Sequence, residues 1–176
     1  MRSFPWKRAA RWAGELAMSV ALASAIVLFA YQPVRVEGSS MMPALVDDER
    51  LFINKFLYRL GVGEVQRGDL VVFQSPTEPG KSYIKRIIGL PGDTVELRGG
   101  VVWLNGGQLE EPYVPAEYRD QSNLEPVRVP PGHYFVLGDH RNASNDSRVW
   151  GPVPKQTIYG KAVFAYWPPE RMGRLD

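Results

Sequence analysis

The chain has 176 residues, enough for one domain with an appendage. It carries 21 Lys and Arg against 19 Asp and Glu, two His and no Cys, which excludes disulfides, thiol nucleophiles and Cys-based metal sites, argues against a catalytic zinc centre, and gives nucleic-acid binding little electrostatic support beyond the N-terminus. Its 17 Gly and 15 Pro exceed the ordinary usage of roughly 12% and suit a β-rich body better than a helical bundle.

The first predicted element is a hydrophobic helix. Residues 1–11 hold Arg2, Lys7, Arg8 and Arg11 with no acid, and no residue from Leu16 to Val34 is charged. The apolar run Leu16–Tyr31, bracketed by Trp12 and Tyr31, approaches the ~20 residues that cross a bilayer. Residues 12–33 are therefore assigned as a single-pass transmembrane anchor in contact with lipid. Basic residues stay on the cytoplasmic side, so residues 1–11 lie inside. Residues 34–176 form an extracytoplasmic β-rich domain of a protein of the cytoplasmic membrane. Two other readings stay open. A cleaved secretory signal has the same basic start, and Ala23-Ser24-Ala25 offers an A-x-A pattern, although it lies mid-run. A buried core helix is the third.

After Pro33 the pattern changes to short apolar runs between Gly and Pro. Strands are predicted at Arg50–Asn54, Leu70–Gln74, Tyr83–Gly89, Thr94–Arg98, Val101–Leu104, Val127–Val129, Tyr134–Leu137 and Gly160–Trp167. Gly99-Gly100 and Asn105-Gly106 read as tight turns, the first closing a hairpin, and Pro91-Gly92-Asp93 and Pro130-Pro131-Gly132 as further turns. Lys55–Leu60 is either a helical turn or an apolar loop. The polar, Pro-containing stretch 107–126 reads as an excursion, within a small excursion at about 99–130. The fold class is mainly β: an antiparallel β-sheet or partial barrel behind one N-terminal helix.

Three segments carry chemistry. Gly38-Ser39-Ser40-Met41-Met42-Pro43 is a turn of small residues that exposes a hydroxyl beside free backbone N–H groups, as a serine nucleophile requires. Alone it reads as a loop. In Tyr83-Ile84-Lys85-Arg86-Ile87-Ile88, strand alternation sets Tyr83, Lys85 and Ile87 on one face and Arg86 on the other. Apolar neighbours desolvate Lys85 and lower its pKa, which makes it a candidate general base. A strand lysine with its head in water is the plainer reading. Gly138–Pro154 opens on a dense run of polar and small residues, and in it Asp146 and Arg148 are placed to pair and Ser144 to hydrogen-bond a neighbouring base. Alone, it reads as a structured surface loop.

Taken in order behind a hydrophobic helix, these segments resemble the type I signal peptidases, the membrane-bound Ser–Lys proteases that remove signal peptides from exported proteins. Ser-Met-Met-Pro, Tyr-Ile-Lys-Arg-Ile-Ile-Gly-Leu-Pro-Gly-Asp and Gly-Asp-His-Arg-x-x-Ser-x-Asp-Ser-Arg match the family's segments in most positions. The resemblance implies that Ser40 is the nucleophile and Lys85 the base, and that the Ser40 N–H is an oxyanion donor. It further implies that Ser144 orients Lys85, that Asp146 and Arg148 brace the loop, and that Tyr83 packs beside Lys85. It implies cleavage after A-x-A sites of preprotein signal peptides, no metal or organic cofactor, no nucleic acid and a monomer. Two departures stand out. Gly38 occupies a position where some members carry a Ser whose hydroxyl is a second oxyanion donor, and His140 replaces an Asn, which points to a structural polar role. The rival readings are a specialised processing peptidase and a membrane-anchored β-module that binds peptides without cutting them. The self-cleaving repressors, which also use Ser–Lys, differ in lacking a span and carrying a DNA-binding domain.

Overall fold

The computed structural model describes residues 5–56 and 65–175. Helix α1 (Pro5–Ala30) runs directly into strand β1 (Tyr31–Arg35). The strands that follow are β2 (Arg50–Asn54), β3 (Leu70–Gln74), β4 (Ser82–Gly89), β5 (Thr94–Arg98), β6 (Val101–Leu104), β7 (Gly107–Gln108), β8 (Leu124–Arg128) and β9 (His133–Leu137). A single helical turn, α2 (Ser147–Trp150), precedes β10 (Val153–Pro154), β11 (Ile158–Trp167) and β12 (Gly173–Arg174).

Two antiparallel sheets form. The larger has eight strands in the order β1-β2-β11-β3-β4-β9-β10, with β12 added to β11. Its ends, β1 and β10, are not paired with each other, so it is an open sheet. The smaller has four strands in the order β7-β6-β5-β8. The chain is thus mainly β and antiparallel, as its turn chemistry predicts. The turns themselves obey the expected geometry. Gly99 and Gly100 between β5 and β6, and Asn105 and Gly106 between β6 and β7, all have positive φ, the backbone that matches the twist of a two-residue hairpin.

β3 is central, and its first four residues, Leu70 to Phe73, are all buried. β4 pairs with it in the register Val71↔Lys85 and Val72↔Ile84, which carries Lys85 into the interior. The apolar side chains fall into three clusters. One joins Val36, Met41, Leu45, Leu51 and Ile53 with β3 and β11. A second joins Phe73, Ile87, Val136 and Ile158. A third, from Ile88, Val95, Val102 and Phe135, sits between the two sheets.

Two differences from the sequence reading have physical causes. The run read as anchor through residue 33 is helix only to Ala30. Tyr31–Arg35 is instead an edge strand with alternating burial, paired with β2 from Tyr31↔Asn54 to Arg35↔Arg50. Among the described residues no helix is long and apolar enough to cross a membrane. In α1 the charged Glu15 interrupts the apolar stretch, yet Trp12, Leu16, Met18, Val20 and Leu22 are 57–72% exposed. The second difference concerns the stretch 107–126. It buries Glu111 and Val114 and leads through a 3-10 turn at Ala116–Tyr118 into β8. Residues 57–60 of the proposed Lys55–Leu60 turn lie outside the described residues.

Candidate active site

The turn between β1 and β2 is held from several directions. Val36 N–H donates to Glu49 O and Asp48 N–H to Val36 O, which closes its neck. Gly38 N–H donates to Asp47 Oδ1 at 2.8 Å, and Gly38 adopts φ +91°, a backbone that L side chains rarely accept. Met41 and Leu45 plunge into the core at 1% and 0% exposure, so two apolar anchors fix the segment that carries Ser40. On the far side, the C-terminal 3-10 turn supplies Arg171. Its guanidinium donates to the carbonyls of Pro43 (3.0 Å) and Ala44 (2.9 Å) and contacts buried Glu49.

With the turn so fixed, Ser40 Oγ lies 2.5 Å from Lys85 Nζ. Lys85 is 3% exposed. Burial lowers its pKa to about 8; Asp146 and Asp139 oppose the shift and Arg148 adds to it. Tyr83 packs beside it, with Nζ 5.9 Å from the ring centroid, while the Tyr83 hydroxyl donates to Glu78. Ser40 N–H has no hydrogen-bond partner among the described residues, so a donor stands free beside the hydroxyl.

The polar loop after β9 forms the third wall. Arg148 Nε and Nη2 each lie 2.8 Å from the Asp146 carboxylate, which is fully buried and also accepts from Gly138 N–H. Ser144 Oγ is buried and makes no hydrogen bond, to Lys85 or to any other described residue. Gly138 explains the tightness here: a Cβ on it would strike Ser144 Oγ and the Ser40 carbonyl. His140 does not approach the Ser40 hydroxyl as a triad histidine would. Its N–H donates to the Ser40 carbonyl at 3.1 Å, its Nδ1 lies 3.0 Å from the Ser39 carbonyl, and its ring meets Tyr118 edge-on. It therefore holds the backbone of Ser39 and Ser40.

The sequence reading missed a layer behind these groups. Arg86 donates bidentately to Asp139 and stacks over Tyr113 at 4.2 Å. Arg141 donates bidentately to Glu111 and also to the Gly138 carbonyl. Arg148 reaches Asp120. These contacts lash the 107–126 stretch to the loop that carries Ser144. The one local signal was Gly138, a glycine closing an apolar strand just before an acidic residue.

A cleft of about 230 Å³ opens beside Ser40 and Lys85. Its apolar walls are Val34, Val36, Leu51, Val72, Ile84 and Tyr159. Two strands offer it free backbone. Among the described residues, β1 pairs only on its β2 side, and β4 gains its β9 partner only from Arg86 onward, leaving Ser82–Lys85 unpaired on that edge. Among the described residues no group of three His, Asp or Glu is placed to hold a metal ion.

A family model described as "Signal peptidase, peptidase S26" matches residues 9–167. The chain is 39% identical to the probable signal peptidase I-1 of Synechocystis sp., over 97% of this chain and 89% of that one. It is 40% identical to the signal peptidase I of Bacillus amyloliquefaciens, over 89% and 84%. Its fold resembles the crystal structure of a signal peptidase I from Enterococcus faecalis V583, with a TM-score of 0.50 and 37% identity, covering 57% of this chain and 97% of that chain.

Proposed function

Because the chain belongs to the signal peptidase (peptidase S26) family and is thereby a serine peptidase that acts on signal-peptide-bearing preproteins, we propose that Ser40 and Lys85 form its catalytic dyad. The observation that carries this reading is the 2.5 Å approach of Lys85 Nζ to Ser40 Oγ in a site where Lys85 is almost fully buried. A neutral amine takes the Ser40 proton as Oγ attacks the scissile carbonyl carbon. The oxyanion that forms faces the Ser40 N–H. The new ammonium passes its proton to the leaving amine, which departs and leaves an ester on Ser40. Water, deprotonated by the same amine, then hydrolyses the ester and restores both groups. Gly38 supplies no hydroxyl, and its N–H is already held by Asp47. Ser144, Asp146 and Arg148 act as positioning residues, with Asp146 and Arg148 holding the loop whose Ser144 borders the Ser40 carbonyl.

The substrate enters the cleft as an extended strand alongside β1 and the free edge of β4. The shallow apolar walls suit small side chains before the scissile bond, hence A-x-A sites. The exposed apolar face of α1 and the basic residues at its start support a membrane-seated chain with its N-terminus inside and the β-rich body outside. Tyr31, Phe52, Val163 and Phe164 line an apolar hollow just past the helix, with Tyr166 stacked on Phe52, and Phe56 is 41% exposed. These residues extend the same surface. Leu57 and Tyr58, which the sequence pattern adds to it, lie outside the described residues. Flotation of the full chain with lipid vesicles is the expected result; a chain that stays with the soluble fraction overturns this placement.

The activity is tested by mass spectrometry of a preprotein incubated with the purified chain in detergent. Cleavage after an A-x-A site is expected from the unaltered chain. Ser40→Ala and Lys85→Ala are each expected to lose at least ~10³ in rate, because members of a catalytic unit fail together. Cleavage that survives Ser40→Ala names the wrong nucleophile.

A further inference from the structure

Next to the catalytic cleft lies a second hollow of about 600 Å³, and its lining is more polar than the cleft's. It is built by Gln32 and Lys55 from β1 and the end of β2, by Gln74 and Ser75 at the end of β3, and by Lys81 at the start of β4. Ser82 and Tyr159 line both hollows, so the two are continuous. The position follows from strand geometry. Gln32 precedes Val36 by four residues along β1, and Ser82 precedes Lys85 by three along β4. At about 3.3 Å per residue, the polar hollow, which Ser82 lines, begins about 10 Å from Lys85 along β4.

α1 runs into β1 at the Gln32 end, so a peptide whose upstream apolar segment lies on the proposed membrane-seated side, extended along β1 and β4 with its scissile bond at Ser40, sets the side chains about four to six residues upstream into this hollow. The donors there are conspicuous. Lys55 Nζ donates to Gln32 Oε1 at 2.7 Å and has no carboxylate partner among the described residues. Lys81 pairs with Glu78, which does not line the hollow, and also feels Glu37. Two ammonium groups and two amides thus face the space with one ammonium uncompensated. An acidic side chain, or the unpaired carbonyls at the C-terminal end of a substrate helix, gains from such a wall. A basic side chain is repelled by it.

We propose that this hollow is a specificity subsite: Lys55, aided by Lys81 and Gln32, selects acidic or carbonyl-presenting residues and rejects basic ones about four to six positions before the scissile bond. The inference rests on the strand-addition mode proposed above, and it fixes which part of the substrate is read besides the small residues at the cut.

The test compares peptides that share one A-x-A cleavage site and carry Asp, Ser or Lys at the fifth position upstream. The readout is the ratio of kcat/KM for Asp over Lys, in which any general loss of activity divides out. The unaltered chain is expected to favour Asp by about five- to tenfold at low salt, with the preference shrinking at 0.5 M salt. Lys55→Glu is expected to reverse the ratio. Lys155→Glu, the same charge change at an exposed site outside both hollows, is expected to leave it in place. A ratio near one in the unaltered chain overturns the proposal, as does a ratio that Lys55→Glu leaves unmoved or that Lys155→Glu shifts equally. If no peptide is cut at all, the reading of the activity fails instead. Fluorescence anisotropy of the same peptides then decides the subsite: tighter binding of the Asp peptide that reverses in Lys55→Glu sustains it, and equal binding sinks it.

Discussion

Lys85 combines two demands that oppose each other. As the proposed base it must be buried to act at moderate pH, and a buried ammonium with no ion-pair partner among the described residues strains the folded state. Its pKa falls from the ordinary 10.5 to about 8. Between those values the unfolded chain binds more protons at this residue than the folded one, so stability rises with pH across that window. Below about 8 both states hold the proton and the full penalty persists. The shift corresponds to about 3 kcal/mol at most. Lys85→Met, which keeps the volume and removes the charge, is therefore expected to be inactive yet more stable by up to about 3 kcal/mol near pH 7. That gain should dwindle as the pH rises from about 8 to 10. Denaturant unfolding at the two ends of the window checks this; a gain that ignores pH, or a loss near neutrality, contradicts it. At this scale much of the site was legible. Ser40, Tyr83, Lys85, Asp146 and Arg148 carry their chemistry in short, ordered segments. The pairs Arg86–Asp139 and Arg141–Glu111 were not, because their members stand 53 and 30 residues apart and each acid alone reads as a surface residue.

Among the elements, the loop after β9 depends most on its neighbours. Nearly all its polar groups are used: Asp146 on Arg148 and Gly138, and Arg141 on Glu111 and the Gly138 carbonyl. Glu111 comes from the polar stretch after β7, so the smaller sheet's connection braces the loop that carries Ser144. Removing one charge of a buried pair leaves the other uncompensated, at a cost of about 3–5 kcal/mol. Glu111→Gln is accordingly expected to lower stability by about 3 kcal/mol and to depress kcat more than KM, because the freed Arg141 no longer fixes Gly138 against Ser40. Thermal unfolding together with steady-state kinetics checks it; unchanged stability and kcat would show the pair idle. The strands themselves divide by the clarity of their punctuation. β2, β3, β5 and β6 fall where alternation and Gly turns set them. The start of β1 was hidden because Tyr31–Val34 continues an apolar run and contains Pro33, and such a proline is tolerated there because the strand is at the sheet edge. β7, β10 and β12 have two residues each, too few for any period to show.

Across the whole molecule, the site exists because three segments distant in the chain are pinned to one sheet. The turn after β1 is anchored by Met41 and Leu45, β4 is held by its register with β3, and the loop after β9 is held by buried ion pairs. No single segment carries the function, and each alone reads as an ordinary loop or strand. Their order along the chain made the family visible, while the bracing by the second sheet and by Arg171 emerged only from the fold. The cleft, the polar hollow beside it and the exposed helix then follow one another along β1, from Ser40 and Lys85 back towards α1.

The central claim is that a buried, neutral Lys85 is the base for Ser40, and kcat/KM against pH tests it most directly. Activity requires the unprotonated amine, whose fraction grows as the pH passes its pKa. With Lys85 as the base, the profile is expected to rise through an ionisation near pH 8 and to level off above it. A rate still climbing through the unperturbed value of about 10.4, or one with no dependence across this range, would contradict it.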